Sequence, residues 1–191
     1  MTNRKLTKQE CRQLLQIAHD NIDDALHDKT YTLPDNLPEI FQEKRGVFVT
    51  LNKNTQLRGC IGYIEGYEKL AEAVVDVSLS AAFDDPRFNP LTLSEWDDVD
   101  VEISVLTPPE EIIVEDKQQY PQHITIGTDG LIIENGYHRG VFLPQVPIEH
   151  NMDVYEYLEQ LCYKAGLTSN SWMDENTKLY KFQAQVFTQE D

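Results

Sequence analysis

The octapeptide VDVEISVL, Val99 to Leu106, sets Val99, Val101, Ile103 and Val105 in unbroken alternation with Asp100, Glu102 and Ser104. Side chains of an extended chain point to opposite faces in turn, so this pattern predicts a strand with one aliphatic face on a core and one polar face toward water. Sheets that are wet on one side are as a rule antiparallel, because crossover helices cover both faces of a parallel sheet. Other segments agree. GLIIENGYHRGVFL reads as two strands around a turn at Asn135 and Gly136, the dipeptide that best tolerates the left-handed backbone of a tight hairpin. GVFVTL, Gly46 to Leu51, is short and β-branched and reads as a buried strand, and LYKFQAQVF is expected to turn Tyr180, Phe182, Ala184 and Val186 inward. Hairpins and alternation outnumber strand-helix-strand repeats, which predicts an α+β fold with a mainly antiparallel sheet.

Helices are marked by a different period. Thr7 and Glu10 have capping-box spacing and lead into Cys11, Leu14, Leu15, Ala18, Ile22, Ala25 and Leu26, one face of an amphipathic helix. A second helix is predicted from Tyr67 to about Phe83, with small residues around most of its circumference, and LSEW adds a helical turn. A third runs from Val154 to Ala165, with Asp153 as its cap and Gly166 as its stop. No linker separates these elements, so one domain is expected over residues 8–188.

The chain of 191 residues carries 33 acidic and 16 basic residues, a net charge of −17. Such a surface repels phosphate backbones and anionic membranes, so no direct nucleic-acid contact and no membrane attachment are expected. No apolar run approaches the roughly 20 residues that span a bilayer, and no charged leader opens the sequence. Cys11, Cys60 and Cys162 are odd in number, far apart and outside any CxxC pattern, which argues against a disulfide framework or a structural zinc site. A cytoplasmic protein with reduced thiols is expected, with no metal and no assigned cofactor.

The ordered blocks GVFVTL, LRGCIG, AAFDDPRFNPLT, VEISVLTP, VFLPQV, KAGL and YKFQAQVF resemble the AMMECR domain family, over roughly residues 10 to 188. The resemblance implies a curled, barrel-like antiparallel sheet with flanking helices, divided into a larger and a smaller subdomain. It assigns no biochemical activity. It also implies Memo-like and radical S-adenosylmethionine proteins as partners in a shared pathway.

Candidate chemistry centres on LRGCIG. Along this strand Leu57, Gly59, Ile61 and Tyr63 are expected on one face and Arg58, Cys60, Gly62 and Ile64 on the other. Arg58 beside Cys60 would stabilise a thiolate, while Gly59 and Gly62 would let a ligand come close. The competing reading makes Cys60 a small apolar residue and the glycines packing contacts. In DDPRF, Asp85 and Arg87 are either a brace across Pro86 or, with Arg58, part of a site where guanidinium groups converge on an anion. Gln145, held between Pro144 and Pro147, offers an amide at a pocket edge. Two functions follow: a binding or accessory protein taking a small anionic ligand through Arg58, Gly59, Gly62, Asp85, Arg87, Gln145 and Glu149, or an enzyme using Cys60 as nucleophile or redox thiol. In the second, the base would be Glu149 or one of His19, His27, His123, His138 and His150.

Overall fold

Aliphatic alternation becomes eight strands in the computed structural model, which describes residues 4–189. In chain order they are β1 (Val47–Lys53), β2 (Gln56–Tyr63), β3 (Val99–Leu106), β4 (Glu110–Glu111), β5 (Gly130–Asn135), β6 (His138–Phe142), β7 (Lys178–Phe182) and β8 (Ala184–Thr188). The helices are α1 (Lys8–Leu26), α2 (Leu70–Leu79), α3 (Leu93–Trp96), α4 (Val146–Glu149) and α5 (Val154–Lys164). The chain divides into two compact units, one running to Pro108 and resuming at Gln185, the other Pro109–Ala184.

The first unit holds a sheet ordered β2-β1-β3-β8. Strand β1 pairs antiparallel with both neighbours, so that Ile61, Val49 and Ile103 stand in one row, as do Gly59, Leu51 and Val101. Val47, Val49, Leu51, Val101 and Ile103 are fully buried. They share a core with Leu14, Ala18 and Ile22 of α1 and Val74 and Val77 of α2. Each such aliphatic side chain contributes about 1.5–3 kcal/mol on leaving water. Helix α1 opens with the predicted capping box between Thr7 and Glu10. Its buried Asn21 donates to Val75 O and Ser78 Oγ, both at 2.8 Å, so the one amide inside this helix face is satisfied. Helix α2 is shorter than predicted and passes into a π-helical turn, Ser80–Asp84, which delivers the chain to Asp85.

The second unit is a sheet ordered β4-β7-β5-β6, with Leu131, Ile133 and Leu179 packed in one core with Tyr157, Leu158 and Leu161 of α5. Asp153 caps α5 by accepting from the Tyr155 and Glu156 amides, and Gly166 follows with φ of 73°. The β5-β6 hairpin forms, but one residue later than predicted: Asn135 is the last ladder residue, opposite His138, and the loop is Gly136 and Tyr137. Only Gly136 has positive φ, as in turns that need glycine first.

The expected antiparallel character holds in two sheets, and no closed barrel is seen among the described residues. One expectation is corrected. The C-terminal segment is not one strand facing inward at Tyr180, Phe182, Ala184 and Val186. It breaks between β7 and β8, which lie in different sheets, so Leu179, Phe182 and Phe187 are buried while Val186 is exposed. Each sheet imposes its own register, and a shared period of two cannot survive the change. Among the described residues no helix is long and apolar enough to cross a membrane.

Candidate functional site

Strand β2 lies at the edge of its sheet, where alternate backbone groups lack a strand partner. Cys60 stands opposite Thr50 and turns its own N–H and C=O outward. Asp85 and Arg87 take the place of a missing strand: the Cys60 amide donates to Asp85 Oδ2 at 2.9 Å, and Arg87 Nη2 donates to the Cys60 carbonyl at 3.2 Å. Two residues of DDPRF thereby close the ladder at this point.

The pair is itself tightly bound. Arg87 Nε reaches Asp85 Oδ1 at 3.0 Å and Arg87 Nη2 reaches Oδ2 at 2.7 Å, a side-on fork. The Arg87 backbone amide adds a bond to Oδ1 at 3.1 Å. Arg87, followed by the Cys60 and Arg87 amides, holds the Asp85 carboxyl well below the usual carboxylate range. The Asp85 side chain is 2% exposed and that of Arg87 is 54% exposed, so the carboxylate lies inside and its cation faces out.

Arg58 repeats this arrangement. A bulge between Leu51 and Asn52 leaves Arg58 without a cross-strand partner and puts Leu57 opposite Asn52. The predicted two-residue period therefore holds for Gly59, Ile61 and Tyr63 but not back to Leu57. Arg58 Nε and Nη2 grip Glu95 Oε1 and Oε2, each at 3.1 Å, and Nη2 also reaches Pro90 O at 3.4 Å. Glu95 is the third residue of α3 and completes a capping box with Thr92. Arg58 first, then Thr92, pull its carboxyl down to about 2. The Arg87 and Arg58 guanidinium carbons lie 5.5 and 6.0 Å from the Phe88 ring centre. Arg58, Arg87, Phe88, Asn89, Pro90, Thr92 and Glu95 line one open hollow.

The remaining candidates divide. Gly59 is buried, and a Cβ there would overlap the Ala81 carbonyl oxygen of the π turn; at Gly62 a Cβ would meet Phe48. Protein atoms fill both spaces. Cys60 is a partly exposed residue, and its thiol receives a hydrogen bond from Thr50 Oγ1 at 3.2 Å. It is not among the residues lining the arginine hollow. Gln145 and Glu149 belong to the second unit, at the start and end of α4. His19 packs on the Trp96 ring at 4.9 Å, and His27 Nδ1 bonds Asp23 O at 2.8 Å. His138 Nδ1 bonds Ala165 O at 2.9 Å, while His123 and His150 also lie in the second unit. Among the described residues no group of three His, Cys, Asp or Glu is placed to hold a metal ion.

Three residues of this region escaped the sequence reading. Glu95 carried a signal, since Thr92 and Glu95 have capping-box spacing before a helical turn. Phe88 carried none. Glu102 appeared only as a solvent-facing residue of an alternating strand, yet the register sets it opposite Thr50, in the row that ends at Cys60. Burial raises its carboxyl above the ordinary value.

Comparison with known proteins adds relatives to this geometry. The family model described as AMMECR1 matches residues 15–187. A protein of Methanothermobacter thermautotrophicus is 49% identical over 183 residues, covering 95% of each chain. A protein of Methanocaldococcus jannaschii is 47% identical over 186 residues, covering 96% of this chain and 92% of its own. The crystal structure of an uncharacterized protein from Pyrococcus horikoshii is similar with a TM-score of 0.84 at 42% identity, covering 98% of this chain and 95% of that one.

Proposed function

The chain belongs to the AMMECR1 family, and we propose that within it this protein acts by binding: the hollow at Arg58 and Arg87 receives a small anionic group. One observation carries the reading. Two guanidinium groups line the same open hollow, and the Nη1 of each has no protein hydrogen-bond partner among the described residues. Glu95 and Asp85 fix the two side chains in advance, which lowers the ordering cost a ligand would otherwise meet. The same carboxylates cancel most of the local charge, so the donors supply direction more than long-range attraction.

Thermal unfolding against a panel of anionic metabolites tests this. A ligand at about 100 times its Kd adds about 2.7 kcal/mol. The stabilisation is expected to vanish in Arg58→Ala and Arg87→Ala; shifts that persist in both variants overturn the anion site. An accessory role beside Memo-like and radical S-adenosylmethionine proteins extends the reading, on the family resemblance alone. Co-purification with such proteins tests it.

A second reading keeps Cys60 as a nucleophile or redox thiol. It is favoured by the row Cys60, Thr50 and Glu102 across β2, β1 and β3, where a hydroxyl donates to the sulfur and a carboxyl raised by burial stands next in line. Glu102 joins Glu149 and the histidines as a candidate base, taking the thiol proton through Thr50 once that hydroxyl turns from the sulfur to the carboxylate. The Cys60 amide is already given to Asp85 and is unavailable as an oxyanion donor, which directs this reading toward thiol exchange and away from acyl transfer. Reaction of Cys60 with a small disulfide that is unchanged in Glu102→Gln would remove the carboxyl from the scheme.

A further inference from the structure

The donor geometry of the hollow carries the proposed anion site one step further, to the class of anion. An arginine recognises a carboxylate best through its side-on fork, Nε with Nη2, whose two parallel N–H groups match two coplanar oxygens. Both forks here are already occupied, that of Arg58 by Glu95 and that of Arg87 by Asp85. Each Nη2 also donates to a backbone carbonyl, Pro90 O at 3.4 Å for Arg58 and Cys60 O at 3.2 Å for Arg87, which competes for the end-on edge. Each guanidinium therefore retains only Nη1. Two Nη1 groups from separate side chains, each with two diverging N–H bonds and each on a guanidinium near the Phe88 ring, do not reproduce a planar fork. They suit an anion whose oxygens point in several directions. The exposed Asn89 amide, on the same hollow, is a third donor for such a group.

We infer that the hollow selects a tetrahedral oxyanion, a phosphate group, over a carboxylate. The inference rests on the anion site proposed above and concerns what that site prefers. The phosphate belongs either to free inorganic phosphate or to a small phosphomonoester, and both place three equivalent oxygens before the Nη1 atoms and Asn89.

Nuclear magnetic resonance on the intact wild-type chain separates the outcomes, with inorganic phosphate, glycerol 3-phosphate, acetate and malonate titrated at constant ionic strength. The phosphates are expected to move the Phe88 ring and Asn89 side-chain signals with an apparent affinity at least about tenfold above either carboxylate, a difference of about 1.4 kcal/mol. Equal affinities for the two phosphates assign free phosphate, and a tighter ester assigns a phosphomonoester. Acetate or malonate moving the same signals as strongly as phosphate overturns the preference while leaving an anion site in place. If none of the four moves Phe88 or Asn89, the anion site itself fails and the preference with it. Asn89→Ala, an exposed change that leaves both ion pairs intact, is expected to weaken phosphate severalfold and carboxylates little.

Discussion

The amide of Cys60 donates to Asp85 Oδ2 at 2.9 Å, twenty-five residues along the chain. This bond joins the edge strand to DDPRF and sets where Arg87 points. It turns the two motifs into one structure, with the cysteine backbone bound to the carboxylate and the Arg87 side chain 54% exposed. The Asp85 side chain accepts four bonds in all, three from Arg87 and one from Cys60.

Asp85→Ala is therefore expected to destabilise the protein by about 2–4 kcal/mol, since it removes a buried acceptor and deprives two backbone N–H groups, of Cys60 and Arg87, and the Arg87 guanidinium of their partner. Urea unfolding at neutral pH measures this. A loss below about 0.5 kcal/mol would mean that water satisfies the β2 edge unaided.

The two glutamates predict opposite pH dependences. Glu95 has a folded-state value of about 2, below its reference of 4.5, so its contribution is complete above 4.5 and is lost as pH falls toward 2. Glu95→Gln should cost about 1 kcal/mol or more at pH 7, from the cap and the Arg58 pair together, and progressively less as that window is crossed. Burial raises Glu102, so ionising it opposes folding once pH exceeds its reference of 4.5. Glu102→Gln should then stabilise at pH 7 by a few tenths to about 1 kcal/mol, with the gain vanishing below the reference value. Parallel pH series of urea midpoints for both variants check the two signs.

Gly59→Ala should be among the most damaging small changes in the molecule. The added methyl meets backbone, the Ala81 carbonyl, and not a side chain that can rotate away. A loss above about 2 kcal/mol in urea unfolding is expected for such overpacking, and near-neutrality would show that the π turn yields.

Thiol accessibility gives a further check. Cys60 is partly exposed, whereas Cys11 is 6% and Cys162 0% exposed. Burial also pushes the Cys162 thiol up to about 11. Mass spectrometry after brief iodoacetamide treatment should find Cys60 modified in the native protein, and all three cysteines only after unfolding. Native labelling of Cys162 ahead of Cys60 would contradict this arrangement.

Local chemistry was readable in the sequence and long-range register was not. The alternation at Val99 to Val105, the capping box at Thr7 and the cap at Asp153 all depend on residues a few positions apart, and all three appear in the fold. The bulge at Arg58 depends on how β2 pairs with β1, and the phase of Phe182 and Phe187 depends on two different sheets. The site shows the same division. Asp85 with Arg87 was visible as a pair because the two lie on one short turn. Glu95 as the partner of Arg58, thirty-seven residues away, could come only from folding, as could Glu102 in the row of Cys60.

Anomalous diffraction from crystals soaked in selenate reads out whether Arg58 and Arg87 together hold an anion. A selenium peak is expected in the hollow beside Phe88, within hydrogen-bonding reach of both Nη1 atoms, and is expected to be lost in Arg58→Ala. Crystals with no peak there, or with a peak bound by one arginine alone and unaffected by that substitution, would overturn the shared site.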